Sequence, residues 1–130
     1  MASRTLIALD EDDLAVISAH LQDARVRIAD IIWRPQEKRL VIGMERPDWD
    51  QALDGAEPTV HRASALRFDR VLSARSRHVD CSDPEALLDL IGVEFAEVHP
   101  PGGVVTLLFS ARRAMQIDVE CLECELVDLA

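Results

Sequence analysis

Residues 114–126 alternate between apolar and polar side chains, and this period of two predicts a strand with one apolar and one acidic face. At Cys121 and Leu122 two apolar residues adjoin, and the phase of the alternation reverses. A reversal of phase inside a strand favours a β-bulge or a bend that changes which face is buried. The clearest pattern in the chain therefore concerns architecture and carries no chemistry.

The same alternation predicts strands along most of the chain. The predicted strands are 4–9, 25–33, one containing Leu40, Ile42 and Met44, one within 65–79, 93–98, and one containing Val105, Leu107 and Phe109. Within 65–79, the side chains predicted to share one face are Leu66, Phe68, Leu72 and Ala74. Proline and glycine predict turns at 34–38 and 100–103, and residues 47–61 form the longest predicted loop.

Two segments carry signals for helices. Asp10 is suited to cap a helix over residues 11–22, where apolar side chains recur at helical spacing. The apolar positions are Leu14, Ile17 and Leu21. Ser-Asp-Pro-Glu at 82–85 matches a capping box with an early proline, and it predicts a short second helix over 84–91 that ends near Gly92.

The two halves of the chain repeat one order of elements: strand, acid-capped helix, strand, proline turn, strand, connection, strand. Residues 40–44 match 105–109 in pattern, and residues 65–69 match 114–118. An internal duplication would produce a domain with a pseudo-twofold axis. The alternative is that any two amphipathic strands look alike.

Together these elements predict a single globular domain over residues 1–130 of the α+β class. We expect seven or eight mainly antiparallel strands with one long and one short helix. The sheet is expected to be curved, or folded over into a sandwich or partial barrel, with aliphatic faces inside.

Composition narrows the classes of function. The net charge of −10 opposes binding to nucleic acid or to an anionic membrane surface. Aromatic residues, at 4%, are too few for a base-stacking platform. No segment approaches the roughly 20 apolar residues that span a bilayer, and the acidic start is unlike a signal peptide. With three cysteines, we expect a cytoplasmic protein with free thiols.

Candidate chemical motifs each have a simpler structural explanation. Cys121 and Cys124 could form a redox pair, or a zinc site with His78 and Cys81, but their place in a strand pattern favours core packing. The acids at 10–13 lack the spacing of a calcium loop and suit helix capping. The sequence therefore predicts no catalytic residue, no bound metal and no cofactor.

Segregated charge is the main functional signal. Residues 61–78 hold five arginines against Asp69, a net charge of +4, whereas residues 114–130 hold five acids and no cation. The candidate residues for an anion site or an interface are Arg62, Arg67, Arg70, Arg75, Arg77, His61 and His78. The two segments could pair across one sheet, meet between subunits, or leave the arginines to bind an anion.

Residues 65–72 (Ala-Leu-Arg-Phe-Asp-Arg-Val-Leu), 119–126 and 6–23 resemble the small bacterial proteins called domain of unknown function 2948. The resemblance covers nearly the full length of the chain. It implies a cytoplasmic housekeeping protein of proteobacterial type, and it supplies no activity, cofactor or catalytic residue.

Two classes of function follow. One is a non-enzymatic cytoplasmic binding or adaptor module, with a homodimer as one hypothesis, that uses strand edges or the charged segments. The other is a small enzyme or metabolite-binding protein with an Arg/His anion site in residues 61–78. A deep concavity where Arg and His side chains converge would favour the second class.

Overall fold

The computed structural model describes residues 5–49 and 60–129 of the 130-residue chain. These residues form ten strands and one α-helix, with two 3-10 turns at Ile28–Asp30 and Pro35–Glu37. The elements are β1 Thr5–Ala8, α1 Glu11–Leu21, β2 Ala24–Arg27, β3 Ile31–Arg34, β4 Arg39–Pro47, β5 His61–Phe68, β6 Val71–Arg77, β7 Leu87–Glu97, β8 Gly103–Phe109, β9 Ala114–Val119 and β10 Cys124–Asp128.

The ten strands belong to one antiparallel sheet. Its order is β1-β10-β5-β4-β2-β7-β8-β9-β6, and β3 also pairs with β4. The predicted α+β class and antiparallel pairing are therefore confirmed. The predicted count of seven or eight strands is wrong, because three segments predicted as single strands each form two.

The sheet bends so that one end of it meets its middle. β6 stands five places from β4 in the strand order, yet the Val71 amide donates to the Lys38 carbonyl oxygen, just before β4, at 2.9 Å. The Asp69 amide likewise donates to Glu123, and the Glu120 amide to Arg70. These bonds draw the turns after β5 and β9 together at one end of the core.

The predicted first helix is confirmed. The Asp10 carboxylate accepts a hydrogen bond from the Asp13 amide at 2.8 Å, which satisfies one free donor of the first turn. Leu14, Ile17 and Leu21 are buried, and α1 packs mainly against β7 and β1. The helix thus adds its apolar stripe to the aliphatic core within the curved sheet, and it is not long and apolar enough to cross a membrane.

The predicted second helix is wrong, because its residues begin β7. Leu88 and Leu90 are buried whereas Leu87 and Ile91 are more than half exposed, which is the alternation of a strand. Residues 87–90 pair with β2, so a strand partner decides between the two periodicities. Ser82, which would cap the predicted helix, instead donates its amide and hydroxyl to Asp80, and the Asp83 carboxylate accepts the Glu85 amide in a turn.

The three long predicted strands are each interrupted. Residues 25–33 divide at the 3-10 turn Ile28–Asp30, and the segment within 65–79 divides at Asp69 and Arg70. Leu72 is exposed where the register shifts, so its predicted place beside Leu66 is wrong. Most of the predicted 47–61 loop lies outside the described residues.

The phase reversal near Cys121 marks the end of one strand and the start of another. β9 pairs with β8 and β6, whereas β10 pairs with β5 and β1. Of the two predicted causes, the bulge within a single strand is therefore wrong, whereas the bend is present at residues 120–121 and separates β9 from β10. The reversal reports that the chain leaves one half of the sheet and enters the other.

Candidate functional site: a basic edge strand

β6 forms one edge of the sheet. Of the strands in the described residues, β9 alone pairs with it in a ladder. Six of its seven residues are at least partly exposed, and the buried one is Val71. Because antiparallel pairing on one side uses alternate amides and carbonyls, the other set along β6 points away from β9. At the start of β6 the Val71 amide donates to the Lys38 carbonyl oxygen, and the groups beyond it face the open edge.

The two faces of β6 differ in chemistry. On the outer face, Arg75 lies opposite Gln116 and Arg77 lies opposite Ala114. These four residues and Ser76 line a hollow of about 200 Å³. On the inner face, Ala74 and Ser76 lie opposite the buried Ile117 and Met115. The edge thus combines two guanidinium groups with a smaller, less polar face.

The Arg75 guanidinium is held in place by Asp118. Arg75 Nη1 lies 2.7 Å from a carboxylate oxygen of Asp118, which also accepts a hydrogen bond from the Ser73 hydroxyl. The Ser73 bond, followed by Arg75, holds the pKa of Asp118 below its usual range. Arg77, by contrast, has no carboxylate within ion-pair distance among the described residues, so its charge faces solvent.

The acidic and basic segments meet within the chain. Arg67 lies directly opposite Glu125 on neighbouring strands, and their charged groups are 2.8 Å apart. Arg70 lies 3.4 Å from Glu123, in the region where the turns after β5 and β9 meet. Arg67 and Arg70 of the basic segment thus pair with acids of the acidic segment in the same chain. This is one of the three arrangements that the sequence left open.

The seven candidate residues do not form one cluster. His61, Arg62 and Arg67 lie on β5, which belongs to the other half of the sheet from β6. Arg62 is bonded to the buried Asp48 at 2.7 Å. The other four candidate residues are Arg70 in the turn after β5, Arg75 and Arg77 on β6, and His78 just beyond β6.

His61 lines a different hollow, of about 310 Å³, with Asp23, Arg25 and Glu45. Arg and His do meet there, but two carboxylates balance them. A larger groove of about 570 Å³ on the outer face contains Arg27, whose guanidinium is bonded to Asp30 and Glu85. Neither place offers an unbalanced positive charge to an anion.

Sequence reasoning missed the buried ion pair of Arg46 and Asp128. The Arg46 Nη2 lies 2.7 and 2.9 Å from the two Asp128 carboxylate oxygens, and both side chains are buried. The Ser64 hydroxyl donates to Asp128 at 2.8 Å. A signal was present: Arg46 is in phase with Ile42 and Met44, and a charged residue in the buried phase must find a partner.

The cysteines differ in environment, and all three are free thiols. Cys124 is buried, as predicted, and burial raises the pKa of its thiol. Cys121 is partly buried and Cys81 is exposed. In residues 5–49 and 60–129, no three His, Cys, Asp or Glu side chains are placed to hold a metal ion. The chemical inertness of Cys121 and Cys124 stays a prediction.

A family model described as Protein of unknown function (DUF2948) matches residues 5–130, nearly the whole chain. No curated protein and no solved structure matches.

Proposed function

Since the chain belongs to the family described as Protein of unknown function (DUF2948), we propose a function from its surface alone. We propose that it is a non-enzymatic binding module that holds an acidic segment of a partner protein on the β6 edge. The proposed location is the cytoplasm, which the three free cysteines support.

The observation that carries the proposal is an open strand edge with exposed arginines in an acidic protein. The chain has a net charge of −10, so most of its surface repels an acidic partner. Arg77 on β6 is an exception, because it is exposed and has no carboxylate within ion-pair distance among the described residues; Arg75 beside it is also exposed, although it is paired with Asp118. Complementary charge at one place on a repelling surface provides orientation and selects among partners.

The β6 edge also presents unpaired backbone groups. An extended segment can satisfy such groups and place alternate side chains against the surface, as many peptide-binding domains do. Binding of this kind needs no nucleophile, metal or cofactor. It therefore agrees with a chain in which such motifs are lacking.

The alternative is a small enzyme or metabolite-binding protein with an anion site in residues 61–78. The hollow beside Arg75 and Arg77 supports it, because guanidinium groups suit phosphate and carboxylate. The ion pairs of Arg62, Arg67, Arg70 and Arg75 weigh against a larger site, because an anion would have to displace a carboxylate at each.

The test measures fluorescence anisotropy of a labelled octapeptide of glutamate, with an octapeptide of lysine as comparison. Arg77→Glu should weaken glutamate binding roughly tenfold by placing a like charge in the site. Arg34→Glu is the matched control: Arg34 is also exposed and lies on β3. It should change the affinity by less than about twofold.

No binding of the glutamate peptide, or an equal loss in both variants, would overturn the proposal. Inorganic phosphate distinguishes the alternative. If phosphate stabilises the protein against heat and Arg77→Glu abolishes that response while peptides fail to bind, the anion site is the better account.

We also propose that the two halves arose by internal duplication. The strand order is symmetrical about the β2–β7 pair, with β4–β5 on one side and β8–β9 on the other. Leu40 lies opposite Phe68 as Val105 lies opposite Ile117, which matches the alignment of halves drawn from the sequence. In the described residues the first half alone contains a helix, so the connections between strands have diverged.

A further inference from the structure

We infer that the partner segment joins β6 as an added antiparallel strand, with acidic residues alternating with small apolar ones. The inference rests on the proposed binding at β6 and specifies its geometry and sequence. Its basis is a contact inside this protein: β1 is joined to β10 in the way that we assign to the partner on β6.

β10 and β6 hold equivalent places in the two halves. β10 pairs antiparallel with β5, the second strand of the β4–β5 hairpin. β6 pairs antiparallel with β9, the second strand of the β8–β9 hairpin. The chain crosses from one half of the sheet to the other after β5 and again after β9. As a result β6, which follows β5, pairs with β9, and β10, which follows β9, pairs with β5.

β10 and β6 differ in what lies along their second edge, the edge that does not pair with β5 or β9. β1 covers the far edge of β10, antiparallel, from Thr5 opposite Val127 to Ala8 opposite Cys124. No described strand covers the equivalent edge of β6; at its start the Val71 amide donates to the Lys38 carbonyl oxygen, and the open stretch lies beyond Val71. Four residues of β1 suffice to occupy the β10 edge, so a short extended segment matches the open place on β6.

The side chains of β6 set the sequence that fits. Residues of an added strand alternate between faces, so every second one lies beside Ser73, Arg75 or Arg77 on the outer face. Acidic residues are favoured there, above all beside Arg77, since opposite charges on neighbouring strands attract, whereas Arg75 is already paired with Asp118. The intervening residues lie beside Ala74 and Ser76 and next to the core, where small apolar side chains fit.

A second copy of this chain is a poorer occupant of the edge. Pairing β6 antiparallel with its own copy would bring the guanidiniums of Arg75 and Arg77 close to those of the partner. Like charges on opposed strands are destabilising. The basic side chains therefore discourage self-association at an exposed edge while leaving it open to an acidic strand.

The first experiment compares three peptides by anisotropy. The parent has the sequence Asp-Val-Asp-Val-Asp-Val, and two derivatives are N-methylated on the aspartate amides or on the valine amides. Strand addition predicts that one derivative loses binding, because its methyl groups replace the amide hydrogens that are donated to β6. The other should bind as the parent does, within about twofold, because its methyl groups face solvent.

The second experiment determines direction by nuclear magnetic resonance. A nitroxide at the amino end of the peptide should broaden the amide signals near Arg77, and one at the carboxyl end those near Ser73. The reverse order would overturn the antiparallel arrangement.

The outcomes separate the two proposals. Equal binding of all three peptides would overturn strand addition but leave the proposed binding of acidic segments intact, because charge alone would account for it. Equal loss by both derivatives would also overturn strand addition. Failure of both the glutamate octapeptide and the parent peptide would remove both proposals. Peptide-independent dimerisation that Arg77→Glu strengthens would assign the edge to a second copy instead.

Discussion

Arg46 on β4 and Asp128 on β10 are charged residues on the inward face of their strands, where the other side chains of that face are mostly apolar. Their carboxylate and guanidinium form a bidentate pair, and the Ser64 hydroxyl adds a further hydrogen bond. Removing two charges from water is costly, and good geometry is what offsets that cost. The intact pair therefore adds little to net stability, whereas the loss of one member leaves the other charged and buried, which destabilises the protein.

Arg46→Met should destabilise the protein by about 3–5 kcal/mol, because Asp128 is left buried without its partner. The double variant Arg46→Met with Asp128→Leu should lose clearly less than the sum of the two single variants. Urea unfolding measures all four proteins. Additive losses would show that the two side chains do not act as a pair.

Ile17 provides a simpler test of burial at the residue scale. It is 1% exposed, so Ile17→Ala should cost about 2–5 kcal/mol through lost contacts and a cavity. Its neighbour Val16 is 53% exposed, and Val16→Ala should cost less than about 1 kcal/mol. Chemical denaturation compares the two, and similar losses would contradict the orientation of α1.

At the scale of elements, β7 shows how a strand partner overrides a local helix signal. Leu90→Ala should destabilise the protein by about 2–5 kcal/mol, since Leu90 is fully buried. Ile91→Ala should cost less than about 1 kcal/mol, because Ile91 lies on the other face of the strand and is exposed. A helix over 84–91 would not produce this alternation, so comparable losses would contradict the strand.

The β6–β9 contact makes stability depend on pH. The Ser73 hydroxyl and Arg75 lower the pKa of Asp118 in the folded protein. A lowered carboxyl pKa contributes stability that is present above the unfolded value, about 3.9, and is lost as pH falls through the folded value. The stabilising effect of this group therefore disappears in acid.

Asp118→Asn should lower the free energy of unfolding at pH 6, and the difference from the original protein should shrink toward pH 3. Ser73→Ala keeps the carboxylate but removes its main hydrogen bond, so it should reproduce part of the effect. Urea titrations at the two pH values measure the difference. A constant difference across this range would contradict the contact.

At the scale of the whole molecule, the surface is acidic overall yet locally paired. Arg67 with Glu125, Arg70 with Glu123 and Arg75 with Asp118 connect the basic segment to the acidic one. Exposed pairs of this kind contribute about 0–1 kcal/mol each. Salt weakens them, but it also screens the repulsion within a chain of net charge −10.

Raising sodium chloride from 0.05 to 0.5 M should therefore change the free energy of unfolding by less than about 1 kcal/mol. Arg67→Glu should leave the oligomeric state unchanged, because its carboxylate partner is in the same chain. Sedimentation velocity at both salt concentrations checks the second statement. Dissociation of an oligomer by salt would place the charged pairs between subunits.

Much of the fold could be predicted from the sequence because local patterns report local geometry. Asp10 and the spacing of Leu14, Ile17 and Leu21 predicted α1. Alternation located the cores of β4 and β8. The candidate site was reached in part: Arg75 and Arg77 were identified by charge, but the open edge that gives them a role was not.

The sequence by itself determined which side chains face inward along β4, β8, β9 and β10, where the first helix begins, and which segments carry opposite charge. Those properties depend on neighbours within a few residues. Tertiary structure decided that residues 87–91 form a strand, because β2 supplies the pairing. It also decided that Arg46 meets Asp128 across 82 residues of sequence, and that β10 is covered by β1 while β6 is left open. Each of these depends on which strands become neighbours in space, and alternation along one strand carries no information about its partners.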